Sequence, residues 1–274
     1  PPESTQQCNP GHRGPDTMNS TSTRRSLLAR LGRQGPSYSL RLAQTPEDVK
    51  GAQALRFLVF NVELNEGLSK SFSSCLDIDE FDAVCDHLLV EDVRTGTIVG
   101  TYRLQTGACA QAHLGYYSAR EFEFAPFDHM RDSMLELGRA CIHHDHRSFA
   151  VLSLLWRGIA EYSRQHATRY LIGCSSLTSQ DCGVGAATWQ RLSGHLAPAQ
   201  WRTVPLPAFA CALDTPVAHA PKTPKLLATY LSLGAMMCGP PAIDRDFGTI
   251  DFLTLVDLQA PNQPRRLARF GIQV

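Results

Sequence analysis

The amino-acid sequence lacks a net charge, has few lysines and contains no cysteine pair at metal-binding spacing. Its 26 basic residues balance 26 acidic ones, which gives no electrostatic argument for a nucleic-acid partner. Nine scattered cysteines include no Cys-x-x-Cys pair, which argues against zinc or a disulfide framework and for a reducing compartment. No apolar run of about 18 residues and no secretory signal pattern is present. These absences predict a cytoplasmic protein with neither metal nor nucleic acid.

The composition of the chain is otherwise that of a globular protein. With 274 residues and 43% hydrophobic residues, it is long enough to bury one large core. Residues 1–36 are rich in Pro, Ser, Thr, Gly and Arg with little apolar periodicity, and we predict a disordered or extended leader there. Residues 37–274 are predicted to form a single domain.

Apolar periodicity predicts a mixed α/β (α+β) domain. Strands are predicted at residues 37–42, 87–91, 97–104, 135–142, 170–174 and 249–258, and helices at 45–63, 150–165 and 224–237. Thr45 followed by Pro46 is typical of a helix start. The apolar residues of the last helix are interpreted as core, with an acyl tunnel or a membrane contact as the alternative.

The strand at residues 135–142 contains an acid and an arginine around a glycine. In a regular strand Glu136 and Arg139 would point to opposite faces. A β-bulge would bring them together, and a glycine inside a strand often marks one, so we predict a bulge at or beside Gly138. The carboxylate and the guanidinium would then share a cleft. A surface ion pair at a strand end is the alternative interpretation.

Three further segments carry charged or aromatic residues that could face the same cleft. They are Arg56-Phe57-Leu58-Val59-Phe60, Phe81-Asp82-Ala83-Val84-Cys85-Asp86-His87 and Gly100-Thr101-Tyr102-Arg103-Leu104. Together with Glu136-Leu137-Gly138-Arg139, this ordered set resembles the ornithine-lipid N-acyltransferases and their relatives, the acyl-homoserine-lactone synthases, both in the GNAT superfamily. The resemblance covers about residues 38–258.

The resemblance implies a fold and a reaction. The fold is a GNAT-like mixed sheet of six or seven strands, mostly antiparallel, splayed at the bulged strand and flanked by helices. The donor is acyl-acyl carrier protein and the acceptor a small amine. The resemblance matches Glu136 to the family's catalytic acid, Arg56, Arg103 and Arg139 to its charged cleft residues, and Phe60 to the aromatic position near the acyl or acceptor site.

Two aspartates fall where the resemblance places paired acids. In the lactone synthases these acids are three residues apart, whereas Asp82 and Asp86 are four apart, which favours the ornithine-lipid side. We predict that one of them holds a cationic acceptor, and that Arg103 or Arg139 holds its carboxylate or a donor phosphate. Loop capping by the aspartates and a solvated helix face for Arg56 are the alternatives.

Amide formation requires a general base and a group that stabilises an oxyanion, and the sequence offers candidates for both. An α-ammonium group must lose a proton before it can attack a thioester, and Glu136 is the candidate base. The attack creates an oxyanion. Backbone N–H groups of Ala140, Cys141 and Ile142 are the candidates to stabilise it, because a bulge frees such groups from the ladder.

The turn at residues 144–150 bears on the identity of the donor. It lacks the Gly-x-Gly that lets a backbone approach the pyrophosphate of coenzyme A, although a helix N-terminus can still hold one phosphate. This favours the acyl-phosphopantetheine of a carrier protein over acyl-CoA, with no bound cofactor. Carrier proteins are acidic, so Arg147, Arg157 and Arg164 are candidate docking residues, with helix solvation as the alternative.

Two other signals are given no functional role. The run His143-His144-Asp145-His146 is not predicted to bind a metal, because neighbours in sequence rarely converge on one ion. Cys141 and Cys174 are interpreted as buried thiols rather than nucleophiles.

The predicted function is that of an N-acyltransferase. It would move a long, 3-hydroxylated fatty acyl group from acyl carrier protein to the α-amine of an amino acid, with L-ornithine as the first choice. The product would be a lyso-aminolipid, made in the cytoplasm with peripheral contact at the inner membrane. The alternatives are synthesis of N-acyl glycine or another N-acyl amino acid, acyl-homoserine-lactone synthesis, and a non-catalytic GNAT domain that binds acyl chains or carrier protein.

Overall fold

A computed structural model describes residues 37–215 and 222–272, so the predicted leader lies outside the described residues. The strands are β1 Tyr38–Leu42, β2 Asp86–Asp92, β3 Thr97–Thr106, β4 Met134–Ile142, β5 Tyr170–Leu177, β6 Met236–Met237, β7 Ala242–Asp244 and β8 Thr249–Asp257. The helices are α1 Pro46–Phe57, α2 Gly107–Ala112, α3 Phe149–Gln165, α4 Cys182–Arg191, α5 Lys225–Ser232 and α6 Gln263–Ala268.

In the described part of the chain the eight strands form one open sheet. Its order is β1-β2-β3-β4-β5-β8-β6, and β7 also pairs with β8. Only β4 and β5 are parallel neighbours; the other pairs are antiparallel. The predicted mixed, mostly antiparallel sheet flanked by helices is therefore confirmed. Its strand number exceeds the six or seven implied by the resemblance, because the short strands β6 and β7 add to the sheet beside β8.

The first helix begins as its sequence indicates but ends differently. Thr45 caps α1: its hydroxyl accepts from the Asp48 N–H, and the Asp48 carboxylate accepts from the Thr45 N–H. The predicted helix over residues 45–63 is α-helical only to Phe57, and Leu58–Glu63 continues it as a π-helix. Such π-helical insertions are frequent at functional sites.

The helix predicted at residues 224–237 is shorter in the structure. α5 ends before Gly234, whose φ of 85° lies in the left-handed region that favours glycine, and β6 follows. Leu227 packs in the core, while Leu226 and Tyr230 line the cavity described below. This helix therefore serves both as core and as cavity wall.

The hydrophobic core covers both faces of the sheet. On one face, Leu154 and Trp156 of α3 pack with Leu88 and Leu137. On the other face, Phe124 belongs to a second cluster with residues of β4, β5 and β8. α3 thereby fixes the position of β4, whose far half lines the cavity.

The parallel pair β4 and β5 is in register for only three residues. Met134–Glu136 pairs with residues 170–172, although both strands continue well beyond this point. They stay together at the branch point because Gly173 has no side chain there: a Cβ atom would lie 2.2 Å from the carbonyl oxygen of Leu137. Beyond it the two strands diverge, and the predicted splay of the sheet is confirmed.

A bulge in β4 accompanies the divergence. Arg103 pairs with Gly138 and Thr101 with Cys141, so β4 has one residue more than β3 over this interval. Arg139 has a φ of 50°, which is uncommon for a residue with a side chain. The predicted bulge beside Gly138 is confirmed.

Two absences can be stated for the part of the chain that the structure describes. Within residues 37–215 and 222–272, no helix is both long and apolar enough to cross a bilayer. The cysteines in these two ranges are all free thiols.

Candidate active site

A cavity of about 700 Å³ lies where β4 and β5 diverge. One wall is the bulged half of β4, and the facing wall includes Cys174 and Ser176 of β5. Apolar and acidic residues line different parts of it. The apolar part includes Phe149, Leu152 and Leu155 of α3 with Leu226 and Tyr230 of α5, and the acidic part includes Glu66, Asp244 and Asp251. The shape suits a ligand with a long apolar chain and a polar, cationic group.

Glu136 lies at the branch point between the two strands. Its side chain is 4% exposed, and its two carboxylate oxygens accept from the N–H groups of Tyr117 and Ser118 at 2.8 Å each. Burial raises the pKa of Glu136, although hydrogen bonds from the Ser118 N–H, the Ser118 hydroxyl and the Tyr117 N–H act to lower it. The two carboxylate oxygens still have acceptor capacity for a proton from an amine or a water. The arrangement fits a fixed base at the cavity surface.

Arg139 also lines the cavity, but it does not pair with Glu136. Its Nη2 donates to Asp79 at 2.9 Å, and its Nε lies 3.2 Å from Asp77. The guanidinium carbon is 4.9 Å from the centroid of the Tyr117 ring and 4.6 Å from that of Phe247. The bulge thus places the acid and the arginine in one cavity, each with its own partners.

Three arginines and three aspartates form one buried ion-pair network, Arg56, Arg103, Arg139, Asp77, Asp79 and Asp82. Arg56 donates to Asp77 and to Asp82, both at 2.7 Å. Arg103 donates to Asp82 at 3.0 Å and also to Asp79. The positive and negative charges of the network are equal in number, which is how buried charges are usually accommodated.

This network places two predicted substrate-binding residues behind the cavity wall. Burial acts to raise the pKa of the Asp82 carboxyl, but hydrogen bonds from Arg56 and the charge of Arg103 outweigh it and hold that pKa well below its usual range. Arg56 and Asp82 are outside the cavity lining, whereas Arg103 and Arg139 belong to it. In this arrangement Arg56 and Asp82 position the two lining arginines, and their direct contact with substrate stays a prediction.

The remaining predicted substrate residues differ in position. Phe60 lines the cavity and meets Phe247 edge to face, with ring centroids 5.4 Å apart. Asp86 lies outside the cavity lining, because its carboxylate accepts from the hydroxyl of Tyr162 at 2.7 Å on the side of α3. The structure therefore brings Phe60, but not Asp86, to the cavity.

The predicted oxyanion donors and docking residues lie along the cavity and α3. Ala140, Cys141 and Ile142 line the cavity on the part of β4 that has separated from β5. Arg147 stands at the cavity beside the α3 N-terminus and forms a two-pronged ion pair with Glu63. Cys141 and Ile142 still pair with Thr101 and Gly100 of β3, so the roles of these three N–H groups as oxyanion donors stay a prediction, as does docking by Arg147.

The other two candidate docking residues lie further along α3. Arg164 is exposed and pairs with Glu161 three residues earlier, with an N–O distance of 2.6 Å. Arg157 is half-buried on the same helix. Neither residue lines the cavity, so a carrier protein that contacts them would bind along α3, away from the cavity.

Four buried carboxylates that the sequence analysis did not select form an acidic cluster, Glu66, Glu121, Asp244 and Asp251. Burial is the main cause that raises the pKa of Glu66 to about 7, with the charge of Asp251 adding to it. Burial, then the neighbouring acids of the cluster, also raises the pKa of Glu121. One signal was present in the sequence: Asp251 is a charged residue near the start of the strand Thr249–Asp257, which is buried at every position.

Two groups of possible metal ligands occur among the described residues. Glu121, Asp244 and Asp251 form the buried group, and His143, His144 and Asp145 form a more exposed one. The second group assembles because a short 3-10 turn follows His143. Neighbours in sequence were expected not to converge, and this local turn explains why three of them do.

Comparison with known proteins shows relatives over most of the chain. The acetyltransferase (GNAT) domain family matches residues 55–157. Over 250 residues the chain is 33% identical to the L-ornithine N(alpha)-acyltransferase of Agrobacterium fabrum, which covers 85% of this chain and 84% of the relative. The enzyme of the same name from Brucella abortus is 34% identical over 247 residues, or 84% of this chain and 87% of the relative. The solved structure of the AHL synthase LasI aligns with a TM-score of 0.48 at 15% identity, covering 88% of this chain and 98% of that chain.

Proposed function

Because the chain belongs to the family of L-ornithine N(alpha)-acyltransferases, a group of acyltransferases with a GNAT domain, we propose that it acylates the α-amine of L-ornithine. The acyl group would be a long, 3-hydroxylated fatty acid delivered by acyl carrier protein, and the product a lyso-aminolipid. The observation that carries the proposal is the cavity at the strand divergence, which joins an apolar part to an acidic part with Glu136 between β4 and β5.

The proposed reaction begins with deprotonation of the acceptor. Glu136 takes a proton from the α-ammonium, directly or through one water. The free amine attacks the thioester carbonyl, and a C–N bond forms as the carbonyl oxygen becomes an oxyanion. Backbone N–H groups of residues 140–142 stabilise this oxyanion. Collapse of the intermediate breaks the C–S bond. The attacking nitrogen, which became positively charged, loses its second proton to give the neutral amide, and the departing phosphopantetheine thiolate takes up a proton.

The donor is assigned from the region around the α3 N-terminus. Ser148 caps α3, with its hydroxyl accepting from the Val151 N–H, and both Ser148 and Arg147 line the cavity. The first-turn N–H groups and Arg147 can hold one phosphate. The turn before α3 lacks glycines that would admit a pyrophosphate. This supports a carrier-protein thioester over acyl-CoA.

The proposed site of action is the cytoplasm, at the face of the inner membrane. A lyso-aminolipid has a long acyl chain and must pass from the cavity into a bilayer. Phe149, which lines the cavity, is 62% exposed, and the nearby π-helix exposes Val62. Exposed apolar side chains of this kind are suited to transient contact with lipid.

The test is mass spectrometry of reactions with purified protein, a 3-hydroxyacyl carrier protein and a set of acceptors. L-ornithine, glycine and S-adenosylmethionine are offered separately, and the acyl-CoA replaces the carrier protein in a parallel series. We expect N-acylornithine from the carrier-protein donor. Glu136→Gln should lower its rate by about 10²- to 10⁴-fold.

Other outcomes would reassign the function. A homoserine lactone formed from S-adenosylmethionine would indicate a lactone synthase, and N-acylglycine in preference to N-acylornithine would change the acceptor. Equal rates for the wild type and Glu136→Gln would keep the transferase but remove Glu136 as its base. Tight carrier-protein binding without any product would contradict the proposed transfer.

A further inference from the structure

The acidic cluster is a part of the cavity that the proposed chemistry leaves unused. Glu66, Asp244 and Asp251 line the cavity, and Glu121 is outside the lining but close to Asp244 and Asp251. Carboxylate oxygens of Glu121, Asp244 and Asp251 all lie within 4.8 Å of one another. All four residues are at least nine-tenths buried. Four acids in so small a buried volume require an explanation.

No basic side chain neutralises the cluster. Within residues 37–215 and 222–272, none of the four carboxylates has an arginine, lysine or histidine nitrogen at ion-pairing distance. The nearest lining arginine, Arg139, is already paired with Asp77 and Asp79. Burial and mutual repulsion raise the pKa of Glu66, Glu121 and Asp251. In the absence of a neutralising cation the cluster therefore retains protons, which a cationic ligand can displace.

Among the described residues, one oxygen of Asp251 accepts no hydrogen bond of normal geometry, although Ser176 and Glu121 interact with this carboxylate. Asp251 is 4% exposed, and its Oδ2 accepts from the Thr249 hydroxyl at 3.2 Å. Its Oδ1 has no hydrogen-bond partner in the described part of the chain, although the residue lines the cavity. Buried polar atoms are normally satisfied. An oxygen left open at a cavity surface is suited to accept from a bound donor.

The remaining oxygens of the cluster are partly occupied. Glu66 accepts from the Thr178 hydroxyl at 2.6 Å, and Oδ1 of Asp244 accepts from the N–H groups of Asp246 and Phe247 at 2.9 Å each. These bonds hold the carboxylates in place. The oxygens that remain open are a few separate acceptors, which do not form a complete coordination shell for a metal ion.

We propose that the acidic cluster binds the side-chain ammonium of the acceptor amino acid and thereby selects a diamino acid over neutral amino acids. The inference rests on the proposed function, since it names how the acceptor of that reaction is recognised. An ammonium has three donors and one positive charge, which match separate carboxylate acceptors in a buried site. A neutral amino acid would leave the cluster uncompensated and would bind poorly.

The positions of the two acids suit a ligand with two amines. On β5, Ile172 pairs with Glu136 and Ser176 pairs with Asp251, so the pairing positions are about 13 Å apart along the strand. Both acidic side chains reach into the same cavity. The lengths of the two acidic side chains and of an extended diamino acid together span this separation. The α-amine would lie towards Glu136 and the side-chain ammonium towards Asp251.

A divalent cation is the competing ligand for three clustered carboxylates. Calcium takes six to eight oxygen ligands and magnesium a regular octahedron. Among Glu121, Asp244 and Asp251, Oδ1 of Asp244 already accepts two N–H bonds, so the three carboxylates leave fewer than six open oxygens for such a shell. The amine chemistry proposed for this cavity also favours an ammonium. The binding experiment below therefore includes a divalent cation as a competing ligand.

The experiment compares L-ornithine with L-norvaline, which lacks only the side-chain amine. Binding to the full chain is measured by calorimetry for the wild type, Asp251→Asn and the matched control Asp246→Asn, an exposed acid next to the cluster. We expect Asp251→Asn to weaken ornithine binding by about 30-fold or more while norvaline binding changes by less than about threefold. Asp246→Asn should behave as the wild type. If Asp251→Asn does not fold, Glu66→Gln takes its place.

Several results would overturn the inference. The first is equal affinity of the wild type for ornithine and norvaline. The second is an equal loss of ornithine affinity in Asp251→Asn and Asp246→Asn. The third is stabilisation of the protein by Mg²⁺ or Ca²⁺ that depends on Asp251, together with no stabilisation by ornithine. The same acceptor comparison by kcat/KM in the transfer assay decides the case if binding requires the donor. Ornithine binding that depends on Asp251 without transfer from any donor would contradict the proposed function alone. Transfer to ornithine undiminished in Asp251→Asn would contradict the inference alone.

Discussion

The ion-pair network and the acidic cluster are two buried groups of charges beside the same cavity, and they differ in completeness. In the network three arginines neutralise three aspartates, with N–O distances of 2.7 to 3.2 Å for most of the pairs. In the cluster four carboxylates have no cation among the described residues, and the pKa values of Glu66, Glu121 and Asp251 are raised. The network, whose charges are balanced within the protein, stabilises the fold, whereas the cluster, whose charges are not balanced, is suited to bind a cationic ligand.

The comparison predicts opposite responses to mutation. Removing one partner from the network leaves a buried charge without compensation, so the folded protein loses stability. Removing one acid from the cluster relieves repulsion, so the ligand-free protein should gain stability and lose ligand affinity. Such a trade between stability and function is expected at binding sites.

The largest effect is expected from Arg56→Met, which leaves Asp77 and Asp82 without their shared partner. The free energy of unfolding should fall by about 3 to 5 kcal/mol, measured by urea denaturation. The control is Arg41→Met, because Arg41 forms partly exposed pairs with Asp48 and Glu91 that should each be worth at most about 1 kcal/mol. A loss for Arg56→Met no greater than that of the control would remove the distinction between network and surface pair.

The pH dependence of stability should follow from the raised pKa of Glu66. Its pKa of about 7 in the folded state lies above the ordinary value of 4.5, so the folded state holds the proton more tightly. The free energy of unfolding should therefore fall as pH rises from about 4.5 to 7, by about 3 kcal/mol from this group. Glu66→Gln should flatten that slope in denaturation measured at several pH values.

The ion-pair network should make the free energy of unfolding depend on pH in the opposite direction, and only in acid. The pKa of Asp79 and that of Asp82 are lowered by their arginine partners despite burial, so their stabilisation is lost only in acid, as pH falls below about 4. A wild-type stability that stays constant between pH 5 and pH 8 would contradict the raised pKa values of the cluster.

A smaller effect is expected from Asp251→Asn in the absence of ligand. The substitution removes one of four neighbouring carboxylates, and the melting temperature at pH 8 should rise, corresponding to about 1 kcal/mol. Differential scanning calorimetry against Asp246→Asn, which removes an exposed acid, provides the comparison. A clear decrease in the melting temperature would indicate that the hydrogen bonds of Asp251, such as that from the Thr249 hydroxyl, outweigh the repulsion.

The smallest predicted signal is release of protons on ornithine binding. A bound ammonium should lower the pKa values that repulsion and burial have raised, so the cluster releases a fraction of a proton near pH 7. Calorimetry of ornithine binding in buffers with different ionisation enthalpies measures this number. Proton uptake instead of release would contradict placement of the ammonium at the cluster.

The parts of the fold that local sequence determines were predictable. The Thr45 cap, the bulge beside Gly138 and the pairing of β2 with β3 each depend on a few neighbouring residues. The strands β6 and β7 were missed because they have only two and three residues, too few for any period to show. The π-helical continuation after Phe57 was missed because its sequence has the same apolar period as an α-helix.

The candidate site was only partly predictable, for a physical reason. Sequence pattern placed Glu136 and Arg139 in one cavity, because one strand carries both. It did not show that Arg56 and Asp82 would satisfy each other, since their partnership depends on a contact 26 residues apart in the chain. The acidic cluster combines three segments far apart in the chain, which contain Glu66, Glu121, and Asp244 with Asp251 on the paired strands β7 and β8.

The central claim is that one cavity treats the two amines of ornithine differently, with Glu136 deprotonating the α-amine and the acidic cluster holding the side-chain ammonium. Tandem mass spectrometry of the product formed from 3-hydroxyacyl carrier protein and L-ornithine locates the acyl group directly. The account predicts acylation at the α-nitrogen alone in the wild type. Acylation at the side-chain nitrogen, or no acylornithine at all, would contradict it.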